Sequence, residues 1–243
     1  VKQRLLGCAF DAVDLHGALA QVDRWLAGDD LHQGCGVNVD HLVKMDRDPR
    51  FADAVAACDL VLADGTPVVW ASRLLRRPLP ERVAAVDLFD ALLPEAARRG
   101  WPIYLLGARP DVVADASVAL EAAHPGLIVV GARDGYFSTE QEADVADEIA
   151  ASGARLLFVG ITSPKKEEFV IRQRERLGEV RFVLGVGGAF DIAAGRLRRA
   201  PAWMARAGLE WTFRLAQEPR RLWRRYLVDD VRFVRLVARE LAS

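Results

Sequence analysis

The sequence predicts an α/β protein, a mostly parallel sheet flanked by helices, with a basic helical appendage at its C-terminal end. Three observations carry that expectation. Short β-branched or leucine-rich runs recur, each ending in Gly or Asp and each followed by a segment of helical periodicity, and such alternation builds parallel sheets. With 243 residues and 51% hydrophobic content, the chain can bury one α/β core or two small lobes. From Arg196 the composition changes: twelve Arg, no Lys and five acids give +7, while the whole chain carries −1, so residues 1–195 carry −8. The expected units are an acidic α/β body, 1–195, and an arginine- and aromatic-rich helical appendage, 196–243.

Taken in order, strands are expected near 34–39, 59–63, 102–107, 127–131, 155–160 and 181–186, where β-branched and leucine-rich runs stop at turn residues. Helices are expected over 15–28, 48–57, 66–76, 86–99, 110–123, 139–151, 165–177, 201–217 and 219–240. Several open on proline, as at Pro67, Pro110 and Pro219, where the missing N–H costs nothing. On a helix from Pro219, steps of roughly 100° place Leu222, Trp223, Tyr226, Leu227, Phe233, Val234 and Val237 on one side. Arg221, Arg224, Arg225, Arg232, Arg235 and Arg239 fall on the other. Such a helix suits an anionic membrane surface or an anionic ligand, and equally a helix docked by its apolar face with solvated arginines outside.

The bulk pattern excludes several classes. There is no uncharged apolar run of about 18 residues, so no membrane span is expected. Asp11 and Asp14 interrupt the apolar N-terminal patch, unlike a signal peptide, and a cytoplasmic body is the expectation. Cys8, Cys35 and Cys58 lack CxxC spacing and read as buried free thiols, with neither a disulfide framework nor a zinc site. The acidic body opposes nucleic-acid binding, and no base-reading motif is present.

In a parallel sheet ligands bind beyond the carboxyl ends of the strands, and five such ends hold chemistry. In Gly36-Val37-Asn38-Val39-Asp40-His41 an amide and a carboxylate leave the sheet together, and Asp40 also reads as a helix cap. Asp64, in Ala63-Asp64-Gly65-Thr66-Pro67, suits a general base taking a substrate hydroxyl proton, or a cap on the following helix. Gly107-Ala108-Arg109-Pro110 suits a phosphate approach or close strand-to-helix packing. Lys165 and Lys166 open a helix whose positive end disfavours them, so something anionic offsets them or they are solvated. Gly185, Gly187 and Gly188, with Asp191 beyond, admit a ligand close to the backbone, but lack the GxGxxG spacing of a dinucleotide site. No strand-end DxD pair is present to hold a divalent ion, and Asp229-Asp230 falls inside an expected helix.

These pieces together resemble the WecG/TagA/CpsF glycosyltransferase family from about Asn38 to Tyr226. The stretches concerned are LVLADGTPVVWASRLLRRPLPERV with Asp87 after it, YLLGARP, HPGLIVVGARDGYF, LLFVGITSPKKEEF and LGVGGAFDIAAGRLRRAPAWMARAGLEWTFRLAQEPRRLWRRYL. The resemblance implies a Rossmann-like sheet and a metal-independent, inverting transferase without cofactor. Such an enzyme moves sugar from a UDP-sugar to a polyprenyl-diphosphate-linked acceptor at the cytoplasmic membrane face. It implies Asp64 as base, Asn38 against the donor, and Arg82 and Asp87 lining the same pocket. It further implies Gly185 to Gly188 with Asp191 at the nucleoside, and Arg214, Arg221 and Arg224 closing over the diphosphate. The arginines also fit chemistry that is independent of the resemblance, because a departing UDP gains negative charge that cations and backbone amides stabilise. The chain departs from the family pattern at Gly36, where Thr is common, at Lys166 in place of Gln, and at Ala85 in place of Gly. The rival reading is a non-catalytic membrane-surface or polyanion-binding module in which the tail does the work.

Overall fold

The computed structural model describes residues 1–201, 203–204, 207–224 and 231–242, with Arg221 described by its backbone alone. The order of elements begins with β1 (Lys2–Leu5), β2 (Cys8–Asp11), α1 (Leu15–Leu26) and β3 (His32–Val37). Next come α2 (Val39–Met45), α3 (Pro49–Ala56), β4 (Leu60–Ala63), α4 (Thr66–Leu74) and α5 (Ala85–Arg99). Then follow β5 (Pro102–Gly107), α6 (Pro110–Ala123), β6 (Ile128–Arg133), α7 (Glu142–Ala151), β7 (Leu156–Gly160), α8 (Lys165–Gln173), β8 (Phe182–Gly185) and α9 (Ala189–Ala193). The C-terminal segment supplies α10 (Glu210–Gln217), α11 (Pro219–Arg224) and α12 (Val231–Leu241).

Six parallel strands form the main sheet in the order β4-β3-β8-β7-β5-β6, flanked by helices as the α/β alternation predicts. The antiparallel β1–β2 hairpin is an addition that the alternation did not reveal. Side chains alternate across the sheet. Leu105, Phe158 and Leu184 face one core with α5 and α6, while Tyr104, Leu157 and Val183 face another with α7 and α8. A third core joins β1, β2, α2 and α4, and Phe233, Leu236 and Val237 of α12 pack into it.

The two ends of the appendage are tied to the body differently. Near its start Arg196 pairs with Asp115 at 2.8 Å, and Arg199 pairs with Asp87 and Asp90. Near its end apolar packing is joined by Arg239–Asp46 at 2.7 Å and Arg77–Glu240 at 2.7 Å. Exposed pairs contribute little, so burial of the α12 face is the main attachment.

Several expectations are corrected. The helix expected over 201–217 is broken at Gly208, which takes a left-handed turn (φ 73°) between helical Trp203 and Met204 and the start of α10 at Glu210, and an added Cβ there would lie 3.1 Å from Thr66 and Trp70 of α4. Trp223 and Val234, placed on the apolar face with Leu222, Phe233 and Val237, are more than half exposed, whereas those three are buried. Arg225, Tyr226, Leu227, Asp229 and Asp230 of that expected helix lie outside the described residues. Asp40 is not a cap: α2 starts at Val39 and Asn38 caps it, with Asn38 Oδ1 accepting the His41 N–H at 3.2 Å. Cys8, Cys35 and Cys58 are free and buried, and burial pushes the Cys8 thiol up to about 12.

Candidate active site

The β3–β4 register pairs Val37 with Ala63, so Asn38 and Asp64 leave adjacent strand ends side by side. They open into a cavity of about 360 Å³ whose floor is this sheet edge and the start of α4, including Gly65, Thr66 and Pro67. The appendage covers it: Gly208, Glu210, Trp211 and Arg214 line one wall, and Val231, Phe233 and Val234 another. Arg82 completes the polar part. The carboxylate of Asp64 is therefore half-buried under a cover made by the chain's own end.

Among the described residues Asp64 is held by its backbone and by one side-chain bond. Its N–H donates to Val37 O at 3.0 Å, and its Oδ2 accepts the Ala85 N–H at 3.3 Å. It does not cap α4, whose first turn has no side-chain cap bond. Gly36 makes room for it, since a Cβ there would lie 2.7 Å from Asp64 Oδ2. Burial raises the Asp64 pKa above the ordinary carboxylate value, and the Glu210 charge adds to the rise. Arg82, the Ala85 N–H and Arg214 oppose it. A carboxylate raised this way is a stronger base than one in water, and it stays reachable from the cavity.

The cations around Asp64 are themselves positioned. Arg82 pairs with Asp87 at 2.8 Å and with Glu210 at 3.4 Å, linking α5 to the first residue of α10 across the cavity wall. Asp87 also accepts the Ala84 N–H at the start of α5 and pairs with Arg199. Its carboxylate thus organises two arginines. Four residues beyond Glu210 on the same helical face, the Arg214 guanidinium lies over Gly188, where an added Cβ would be 3.3 Å from it and 3.9 Å from Asp191 Oδ2. Gly187 is exposed with φ 55°, a conformation suited to glycine. The glycine turn after β8, Asp191 and Arg214 therefore form a second polar cluster on the same sheet edge.

The two lysines are offset by protein groups. Lys165 Nζ donates to Gly135 O at 3.2 Å and Phe137 O at 2.5 Å, and lies 3.9 Å over the Phe137 ring. Lys166 is buried, pairs with Glu167 at 2.7 Å, and runs its stem over Gly185, where a Cβ would collide with Lys166 Cε. Arg224 is exposed on α11 and is not among the described cavity residues, and the Arg221 side chain lies outside the described residues. Among the described residues no group of three or more His, Cys, Asp or Glu is arranged to hold a metal ion.

The model of the glycosyl transferase WecG/TagA/CpsF family matches residues 3–243. The chain belongs to that family. A curated relative, N-acetylglucosaminyldiphosphoundecaprenol N-acetyl-β-D-mannosaminyltransferase of Bacillus spizizenii, is 36% identical over 181 residues, 74% of this chain and 69% of the relative. The chain is accordingly a glycosyltransferase, and the strand-end geometry described above belongs to such an enzyme.

The strand ends and the arginine-rich tail were readable from sequence. Glu210, Trp211 and Val231 were not singled out as site residues, and Phe233 and Val234 were placed on an apolar helix face without a role at the cavity. The i, i+4 spacing of Glu210 and Arg214 was the available signal, since it puts both on one helix face.

Proposed function

We propose that this glycosyltransferase moves an N-acetylhexosamine of the mannosamine type from a UDP-sugar to a hydroxyl of a polyprenyl-diphosphate-linked N-acetylglucosamine, with inversion. The single observation that carries the chemistry is Asp64, half-buried at the rim of the cavity with its pKa raised and cations on either side. The relative's name supplies the sugar and acceptor classes. In the step, the acceptor hydroxyl oxygen bonds to the anomeric carbon while its proton passes to Asp64. The bond from that carbon to the diphosphate oxygen breaks, and its electron pair leaves with UDP. One displacement inverts the centre.

Charge developing on the diphosphate is met by arginines: Arg82 and Arg214 at the cavity, with Arg221 and Arg224 assigned to the same task by motif. In this reading no divalent cation is required. Asn38 contacts the donor sugar, and Gly187, Gly188 and Asp191 hold the nucleoside. Arg82 and Asp87 act together, since Asp87 orients Arg82. Gly185, Lys165 and Lys166 shape the site from behind, because their polar groups and free space are taken by the chain itself.

Among the described residues no helix is long and apolar enough to cross a membrane. The +7 appendage and the exposed Trp203 and Trp223 support peripheral contact with the anionic cytoplasmic face where a lipid-linked acceptor resides. The test is transfer of labelled sugar from a panel of UDP-sugars to a lipid-diphosphate N-acetylglucosamine, with and without EDTA. The reading requires turnover with UDP-N-acetylmannosamine that survives EDTA. Its loss in EDTA would overturn metal independence, and turnover of none of the UDP-sugars would overturn the donor class.

A further inference from the structure

We propose that the outer face of α4, Trp70 and Leu74 with the crease where Gly208 meets that helix, holds the polyprenyl chain of the acceptor as it leaves the cavity. The inference rests on the transferase reading above and deepens it, since it gives the apolar end of the same substrate a place on the protein.

An acceptor hydroxyl that reaches Asp64 brings a diphosphate and a long hydrocarbon with it, so the cavity needs an apolar way out. Thr66 and Pro67 at the start of α4 line its floor, and Gly208 lines one wall. A Cβ on Gly208 would lie 3.1 Å from Thr66 Cγ2 and 3.1 Å from Trp70 Cη2, so the backbone of the appendage lies against both side chains. Thr66 and Gly208 thus belong to the cavity, and Trp70 stands one helical turn beyond it, with Leu74 a turn further on the same side. At 1.5 Å per residue the stripe Thr66–Trp70–Leu74 leads about 12 Å along α4.

Packing does not call for this face. Val68, Val69, Ala71 and Ser72 bury the inner side of α4, while Trp70 and Leu74 are 54% and 58% exposed. Leu209, next to Gly208, is exposed as well. Single exposed hydrophobic residues are ordinary, but a strip of them continuous with a cavity marks a binding surface. The charge beside the strip selects the ligand. Arg73 on α4 and Arg76 just beyond it are exposed, and neither pairs with a carboxylate among the described residues. They make this face positive on a body that carries −8. An apolar peptide has no use for such cations, whereas a hydrocarbon that begins at a diphosphate is complemented by them. Trp, Leu and Arg together are also the residue types that meet the boundary between lipid hydrocarbon and phosphate. Val231 and Val234, exposed on the α12 wall, offer another apolar way out. They are smaller, and α4 begins two residues after Asp64, so a chain on its outer face is held in register with the base.

The test compares acceptors that differ only in their tails. For a lipid-diphosphate N-acetylglucosamine in one detergent, kcat/KM with an undecaprenyl tail is divided by kcat/KM with a short alkyl tail. That ratio should fall about tenfold or more in Trp70→Ser/Leu74→Ser, the scale of losing contact with one large apolar side chain. Trp70→Leu/Leu74→Met, which keeps the face apolar, should restore most of it. An unchanged ratio in the serine variant would overturn the proposal, and so would a fall produced by Val234→Ser in its place, which would put the tail on α12.

Two measurements without turnover separate the proposal from the transferase reading. Undecaprenyl diphosphate alone, in detergent micelles, should bind the serine variant about tenfold or more weakly than wild type, and equal binding would overturn the proposal. Weaker binding by the variant, with no sugar transfer by the wild type, would count against the transferase reading alone. Vesicles of anionic phospholipid without polyprenol should sediment both proteins to a similar extent. A loss there that matches the loss with undecaprenyl diphosphate would assign the face to the bilayer at large and overturn the proposal.

Discussion

Replacing Lys166 by Met tests whether this lysine is a solvated surface cation or half of a sealed ion pair. In the structure Glu167 is 1% exposed, its Oε1 is 2.7 Å from Lys166 Nζ, and its Oε2 already lacks a hydrogen bond among the described residues. Lys166→Met therefore strands a carboxylate that neither water nor another cation among the described residues reaches. Breaking one side of a buried pair costs about 3–5 kcal/mol. At about 2–4 °C per kcal/mol for a chain of this size, the expected fall in Tm at neutral pH is about 6–20 °C. Removing both charges in Lys166→Met/Glu167→Leu should recover most of the loss, since no uncompensated charge remains. Thermal melts of the three proteins at neutral pH measure both effects. A Lys166→Met melt within about 1 kcal/mol of wild type at neutral pH would refute the burial argument and place Lys166 in solvent.

Three further outcomes follow from the cavity. Asp64 has a raised folded pKa, so its contribution to stability is present at acid pH and is lost as pH rises through that value. Asp64→Asn should therefore melt higher than wild type at neutral pH, and equal stability there would count against the burial. Glu210→Gln removes a charge that helps raise the Asp64 pKa, so the acid limb of the kcat/KM profile should move to lower pH, and a move to higher pH would contradict the assigned electrostatics. Gly36→Ala puts a Cβ 2.7 Å from Asp64 Oδ2, about 0.7 Å inside ordinary contact, and should lower kcat about tenfold or more with modest destabilisation. Wild-type kcat would show that the carboxylate has room to retreat.

The main sheet was legible because most of its strands are runs of branched or leucine-rich residues stopped by Gly, Asn or Asp, with β3 (HQGCGV) the exception, and buried parallel strands need little else. The β1–β2 hairpin was not, because KQRL and CAFD are peripheral strands with charges that hide the alternation. α2 was absent from the expected helices, and only a cap at Asp40 hinted at it; both Asn38 and Asp40 are capping residue types, and only the backbone shows that the helix uses Asn38. Asp64 announced itself by standing at a strand tip before Gly-Thr-Pro. The placement of the lysines depends on acceptors far along the chain: Gly135 and Phe137 lie about thirty residues before Lys165, and no local pattern discloses them. Likewise, the pairing of Arg82 with Glu210 is set by how the appendage folds back over the sheet edge, a tertiary event.

The transfer rate of Asp64→Asn, assayed with UDP-N-acetylmannosamine and a lipid-diphosphate N-acetylglucosamine, reaches the centre of this reading. Asparagine keeps the shape but cannot take the hydroxyl proton, so kcat should fall by about two to four orders of magnitude while donor binding persists. An Asp64→Asn protein that is folded, binds donor and transfers sugar at the wild-type rate would show that the proton goes elsewhere.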